Sequence, residues 1–205
     1  YRVATPDALM GLPEIKLGLL PGAGGTQRLP RIVGLEVASE MILLGDPVKG
    51  KYASSCGLVD ALFENDPDFY KHVLDFASRV SHESGSKRSC ADMTVTHPDP
   101  KGYLAGFRDQ IAHRSKNLVA PERCLVSIEA ACELPLAEGL AQEKAGFAEL
   151  LDTPQSRAGR HLFFAERECN KVPGVTRADQ PRDIKSVAVI GAGTMGRGIA
   201  IAFLQ

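Results

Sequence analysis

The sequence predicts an α/β protein: a loop-rich first part that gives way to packed helices, with a short strand–turn–helix at its end. Three observations carry this expectation. The stretch from Gly11 to Pro30 places five glycines and three prolines in twenty residues, fixing a tight backbone path that ordinary side chains would obstruct. Beyond Pro30, apolar residues recur at intervals of three and four over much of the chain, the period of helices with one buried face. Last, the β-branched run Lys185-Ser186-Val187-Ala188-Val189-Ile190 leads directly into Gly191-Ala192-Gly193-Thr194-Met195-Gly196 and a further helical pattern.

Taken in order, Tyr1 to Ala4 reads as the end of a strand, Pro6-Asp7 as a turn, and Ala8 to Met10 as a short apolar lead into the glycine-rich loop. Thr26 opens a run that can become helical, so Gly22 to Gly25 should lead into a helix N-terminus with unpaired N–H groups. Ile32, Val33, Leu35, Val37, Ala38, Met41, Ile42 and Leu44 keep helical spacing, and Gly45 is placed to end that helix. A short helix over Lys49 to Cys56 and a short strand over Gly57 to Leu62 follow. Asp66-Pro67 begins another helix, with Phe69, Val73, Phe76 and Val80 as its stripe. Ser81 to Lys101 is polar and punctuated by Ser, Gly and Pro, which predicts a surface loop. From Pro121 the pattern is helical almost to Cys169, broken at Leu134-Pro135 and again at Asp152-Thr153-Pro154, with Phe163-Phe164 expected in core or inter-domain packing. Asn170 to Arg182 reads as a linker. These punctuations divide the chain into 1–169, a connector over 170–184, and 185–205.

Composition narrows the function. Lys plus Arg number 24 against 25 Asp plus Glu, so no global field points to nucleic acid or an anionic membrane. Five scattered cysteines (Cys56, Cys90, Cys124, Cys132, Cys169) form no C-x-x-C pair, which favours reduced thiols over a disulfide framework or zinc site. No metal site is expected, and the five histidines show no ligand spacing. Ser186 to Leu204 is long and apolar, but its glycines and Arg197 argue against a transmembrane segment. A start at Tyr1 and an end at Gln205 within an apolar pattern suggest a segment of something longer.

Two stretches carry chemistry. Glu14 is the one acid between Gly11 and Pro30. Flanked by Pro13, Ile15, Leu17 and Leu20, its carboxyl should be partly desolvated, which raises its pKa and suits it to proton transfer. A surface Glu beside a glycine-rich turn is the plainer reading of the same residues. At the other end, a strand before and a helix after turn G-x-G-x-x-G into a dinucleotide fingerprint. Gly191 and Gly193 would allow the tight turn and the close approach of a pyrophosphate, and Gly196 close helix–strand packing. Thr194 and Met195 open the helix whose N-terminus favours the anion.

Gly11-Leu12-Pro13-Glu14-x-Lys16-Leu17-Gly18, followed by Pro21-Gly-Ala-Gly-Gly-Thr-Gln-Arg-Leu-Pro30, resembles the second half of the enoyl-CoA hydratase (crotonase) active-site region, nearly continuously from Tyr1 to Leu62. Glu138 to Lys144 and Thr153 to Arg167 resemble the C-terminal helices of the hydratase half of multifunctional fatty-acid oxidation enzymes. Val189 to Ala200 is similar to the start of L-3-hydroxyacyl-CoA dehydrogenase. The resemblance implies the C-terminal half of a crotonase (ββα-type) domain with a helical extension, followed by the first β-α of a Rossmann domain. It implies that Glu14 is one of two catalytic glutamates, the acid that protonates the α-carbon, with its partner and both oxyanion donors lying ahead of Tyr1. It implies acyl-CoA as substrate, NAD held at Gly191, Gly193, Thr194, Met195 and Gly196, and a thiolase subunit as a possible partner. The location would be the cytoplasm of a bacterium, or a eukaryotic peroxisome or mitochondrion. The segment alone is expected to be inactive and to lack measurable NAD affinity. A Δ3-Δ2-enoyl-CoA isomerase, in which one carboxylate suffices, and a non-catalytic CoA- or nucleotide-binding protein are the alternatives.

Overall fold

A computed structural model describes residues 1–83, 88–169, 171–176, 178–180 and 182–204. The chain divides into two compact units, Tyr1–Glu166 and Arg167–Gln205.

The first unit is mostly helical. Its strands are two residues each: β1 (Val3–Ala4) pairs in parallel with β4 (Ala61–Leu62), and β2 (Leu9–Met10) pairs antiparallel with β3 (Val48–Lys49). Side chains reinforce the first pairing, because the Arg2 amide donates to Asp60 Oδ2 at 2.6 Å and Arg2 Nε donates to the Leu58 carbonyl.

The helical run expected to open near Thr26 is α1 (Gly25–Val33), and the pattern expected from Ile32 to Leu44 is split at Gly34, with α2 (Leu35–Leu44) carrying most of it. Pro30 lies inside α1, where it cannot donate to the carbonyl one turn back. Gly34 then separates the helices at φ 84° and ψ 168°, a conformation essentially reserved for glycine. Gly45 ends α2 at φ 67° as the pattern predicts. α3 (Gly50–Ser55) and α4 (Phe69–Glu83) follow.

The predicted surface loop from Ser81 to Lys101 is shorter than its composition suggests, although 84–87 lie outside the described residues. α4 reaches Glu83, a 3-10 turn covers Cys90–Asp92, and α5 (Pro100–Ile111) begins within the expected loop. Asp99 caps α5 by accepting from the Gly102 amide at 2.9 Å, and Pro100 sits at its first turn. α6 (Ala120–Glu133), α7 (Leu136–Leu151) and α8 (Pro154–Cys169) complete the series, with Thr153 Oγ1 accepting from the Ser156 amide at the start of α8.

Leu20, Leu35, Ile42, Leu104, Phe107, Ile111, Cys124, Leu125, Ile128 and Leu150 form one buried core drawn from α1's approach loop, α2, α5, α6 and α7. Phe164 is not part of it. That ring is 63% exposed and meets Phe163 edge-on at 5.4 Å.

In the second unit, the strand expected over Lys185 to Ile190 is not formed. A parallel strand needs a neighbour for its N–H and C=O groups, and here Ile190 is wholly exposed and Val187 half-exposed. The helix that should follow is present as α9 (Thr194–Leu204). It shares an open cleft of about 500 Å³ with residues 184–189. Asn170, Arg177 and Pro181 of the expected linker lie outside the described residues. No helix among the described residues is long and apolar enough to cross a membrane.

Candidate active site

Glu14 lies in a 3-10 turn, Pro13–Leu17, opened by Pro13 and closed by Gly18 at φ 66°. The turn is fixed by two backbone bonds, Gly18 N–H to the Ile15 carbonyl at 3.0 Å and Leu19 N–H to the Glu14 carbonyl at 3.1 Å. The residue is half-buried, and its Oε2 is shielded from solvent with no hydrogen-bond partner. A shielded carboxylate oxygen left unpaired is costly, so this atom is set toward something other than the chain's own donors. Its carboxylate is also felt by the Cys124 thiol on α6. That thiol is pushed far above its ordinary range, first by burial and then by the charges of Glu14 and Glu143.

After Gly18 the chain runs through Leu19 and Leu20, both buried, and enters α1 at Gly24, whose φ is 87°. Two of the N–H groups expected to be unpaired here, those of Gly24 and Thr26, are taken. Glu143 of α7, 1% exposed, accepts from the Gly24 amide at 2.5 Å through Oε1. Through Oε2 it accepts from the Thr26 amide at 2.9 Å and the Thr26 hydroxyl at 2.6 Å. A protein carboxylate therefore occupies the positive end of α1. The seam continues inward. Gln27 donates to the Ser127 carbonyl at 2.6 Å, and Arg31 donates to the carbonyls of Gln27 and Leu134, each at 2.7 Å. Burial lowers the Arg31 pKa from its ordinary value.

Thr26, Gln27 and Arg31 thus tie α1 to α6 and α7 instead of facing a ligand. Sequence reasoning missed Glu143. Its signal was weak: one Glu in a helix rich in charges, whose partners are 117 and 119 residues away.

An apolar groove of about 410 Å³ adjoins the loop on its other flank, lined by Met10, Gly11, Leu12, Gly25, Leu29 and Met41 among others, with Arg2 and Arg28 at its walls. Glu14 and the fingerprint at Gly191 belong to separate units.

In the second unit, Gly191 takes φ 102° and a methyl at Gly196 would lie 1.9 Å from the Gly191 carbonyl oxygen. Nothing stands within 4 Å of where a Gly193 methyl would be. Gly193 accepts from the Arg197 amide at 3.0 Å at the start of α9. A tight turn, an open face at Gly193 and a helix N-terminus fit a pyrophosphate.

Comparison with known proteins agrees with the motifs. Residues 1–97 match the enoyl-CoA hydratase/isomerase family. The chain is 36% identical over 210 residues, all of its own length and 29% of the relative's, to the human (Homo sapiens) peroxisomal bifunctional enzyme. It is 40% identical over 206 residues to the peroxisomal fatty acid beta-oxidation multifunctional protein of Oryza sativa subsp. japonica. It is 38% identical over 211 residues to a glyoxysomal counterpart of Brassica napus. In both plant cases the match spans 99% of this chain and 28% of the relative. Among solved structures, a carnitinyl-CoA dehydratase from Mycobacterium thermoresistibile superposes with a TM-score of 0.56 at 22% identity, over 89% of this chain and 62% of that one. A carnitinyl-CoA hydratase from Mycobacterium avium gives 0.50 at 24%, over 80% and 51%. These likenesses show the crotonase fold. Residues 1–97 thus resemble the enoyl-CoA hydratase/isomerase family, and the chain is similar along its whole length to peroxisomal and glyoxysomal multifunctional enzymes of fatty-acid β-oxidation, of which it spans less than a third.

Proposed function

We propose that Glu14 is one of two catalytic carboxyl groups of a peroxisomal enoyl-CoA hydratase, working in β-oxidation as part of a longer bifunctional polypeptide. The observation that carries this reading is the shielded, unpartnered Oε2 of Glu14 at the end of an ordered turn. In hydration, the water oxygen bonds to C3 of the enoyl thioester as one water proton passes to the partner carboxylate and the other stays on the new hydroxyl. The C2–C3 π pair takes up a proton at C2, and return of a proton from the partner carboxyl to Glu14 resets the two carboxyl groups. Glu14 supplies the proton at C2. Negative charge that develops on the thioester oxygen needs two backbone N–H donors, because stabilising it in place lowers the barrier. By resemblance those donors and the partner carboxyl lie in the part of the family that precedes the match to Tyr1. The apolar groove beside Gly11 and Leu12 suits a hydrocarbon portion of the substrate.

Replacing Glu14 by Gln in the full-length protein should lower kcat for 2-enoyl-CoA hydration by about 10²- to 10⁴-fold, the usual worth of a proton-transfer group. Hydration at the wild-type rate would overturn the assignment. The family's description also covers isomerases, and a Δ3-Δ2 shift needs only one carboxylate. Turnover of a 3-enoyl-CoA without hydration of a 2-enoyl-CoA would select that reading.

The turn at Gly191, Gly193, Thr194, Met195 and Gly196 is proposed to hold the pyrophosphate of NAD in the same polypeptide, which would accept hydride from the 3-hydroxyacyl product. Gly193 would leave room for phosphate oxygens, and the N-terminus of α9 would favour their charge.

A further inference from the structure

Glu143 has no part in the steps above, yet it is the one buried acid among the described residues, and all its bonds go to the segment that follows Glu14. Its two oxygens accept three hydrogen bonds, from the Gly24 amide and from the Thr26 amide and hydroxyl, and that hydroxyl also meets Ser127 Oγ at 2.6 Å. The same helix face touches the segment twice more. A methyl at Gly22 would lie 2.3 Å from the Phe147 ring, and one at Gly146 would lie 3.2 Å from Leu20. The first turns of α8 press on the other end. A methyl at Gly18 would lie 3.2 Å from the Ser156 backbone, and one at Gly159 would lie 3.2 Å from the Leu17 backbone.

From Leu17 to Thr26 the chain is therefore pinned at successive points by α7 and α8. Its upstream end holds Glu14 directly, through the Leu19 N–H bond to the Glu14 carbonyl. Interiors packed this closely pass small shifts along, not damp them out.

We propose that Glu143 is a positioning residue that sets the Glu14 carboxyl through the Leu17–Thr26 segment; the inference rests on the reading of Glu14 as the proton-transfer group. Glutamine cannot replace it, because an amide has one accepting oxygen and a donating NH2. One of the Gly24 and Thr26 donor sets would then face another donor. The segment would relax away from α7, and the Glu14 carboxyl would shift with it. Misplacing a catalytic group by about 1 Å costs up to roughly 10²-fold.

The test is a double-mutant cycle in the full-length protein, with 2-enoyl-CoA hydration as the readout. Glu143→Gln alone should lower kcat by about 10- to 100-fold with KM changed less than about twofold. In a Glu14→Gln background the same replacement should lower kcat less than about twofold, because the group it positions is already gone. Wild-type kcat for Glu143→Gln would overturn the proposal. So would an equal loss in both backgrounds, which would leave Glu143 a role in folding only. A Glu14→Gln enzyme with wild-type turnover would refute the reading of Glu14 itself and is seen separately. If Glu143→Gln does not fold, Thr26→Ala, which removes one of the three donors and leaves both amides, runs the same cycle with the same criteria.

Discussion

Replacing Gly139 by alanine tests whether the buried polar seam between α1, α6 and α7 is packed as described. A methyl at Gly139 would lie 2.0 Å from Gln27 Oε1 and 2.8 Å from its Cδ. Gln27 is 0% exposed, and its amide is held by a 2.6 Å bond to the Ser127 carbonyl. Its side chain cannot swing aside without breaking that bond and leaving a buried donor unpaired, which costs about 1–3 kcal/mol. Overpacking adds about 1–3 kcal/mol. Alanine's better helix propensity returns about 1 kcal/mol. The expected loss is about 1–5 kcal/mol. The chain has no tryptophan, so the measurement is urea unfolding followed by the far-ultraviolet circular dichroism of the helices. Gly106 of α5 is the control, since it is exposed and nothing lies within 4 Å of a methyl there. Gly106→Ala should stabilise by about 0.5–1 kcal/mol. If Gly139→Ala stabilises as Gly106→Ala does, Gln27 is free to move and the seam is not the lock described.

Two further outcomes follow from titratable groups. Burial pushes the Asp60 carboxyl up, but the Arg88 guanidinium at 2.6 Å and the Arg2 amide outweigh it and hold its pKa below the ordinary value. A depressed folded pKa contributes stability above about pH 4, lost as the pH falls through the folded value. Acid unfolding of wild type should therefore steepen below about pH 4 relative to Asp60→Asn, and parallel curves would show that the pair contributes nothing. Cys124 is buried with its thiol pushed up, whereas Cys169 is exposed, so a thiol-alkylating reagent should modify Cys169 in the native protein and reach Cys124 only after denaturation. Mass spectrometry of the labelled peptides reads this directly, and equal native labelling would contradict the burial of α6.

What was legible in the sequence was local. Gly45 ends α2 in the left-handed conformation, and Thr153-Pro154 opens α8 with a side-chain cap, because each needs only its immediate neighbours. α5 was legible too, but its signal was misread. The Asp99-Pro100 pair that looked like loop punctuation is an N-cap followed by a first-turn proline, and Leu104, Phe107 and Ile111 at spacings of three and four are its buried face. The strand over Lys185 to Ile190 failed for the opposite reason. β-branched residues favour a pleated, half-buried surface, and among the described residues no strand pairs with them to supply one.

The two glycine-rich turns show where local reading stops. Each places glycines ahead of a helix, and each predicts a helix N-terminus open to an anion. At the first, the anion comes from the chain itself, since Glu143 fills the position and the Phe147 ring covers Gly22. At the second, Gly193 stands open. Nothing within Gly22–Thr26 or Gly191–Gly196 distinguishes these outcomes, because the deciding group lies more than a hundred residues away in the first case. The Gly24 and Thr26 amides already have an acceptor in Glu143, so an anion from outside the chain would have to displace that side chain to reach them. Glycine here allows the close approach of α7 and α8, whose contacts hold the loop that follows the half-buried Glu14.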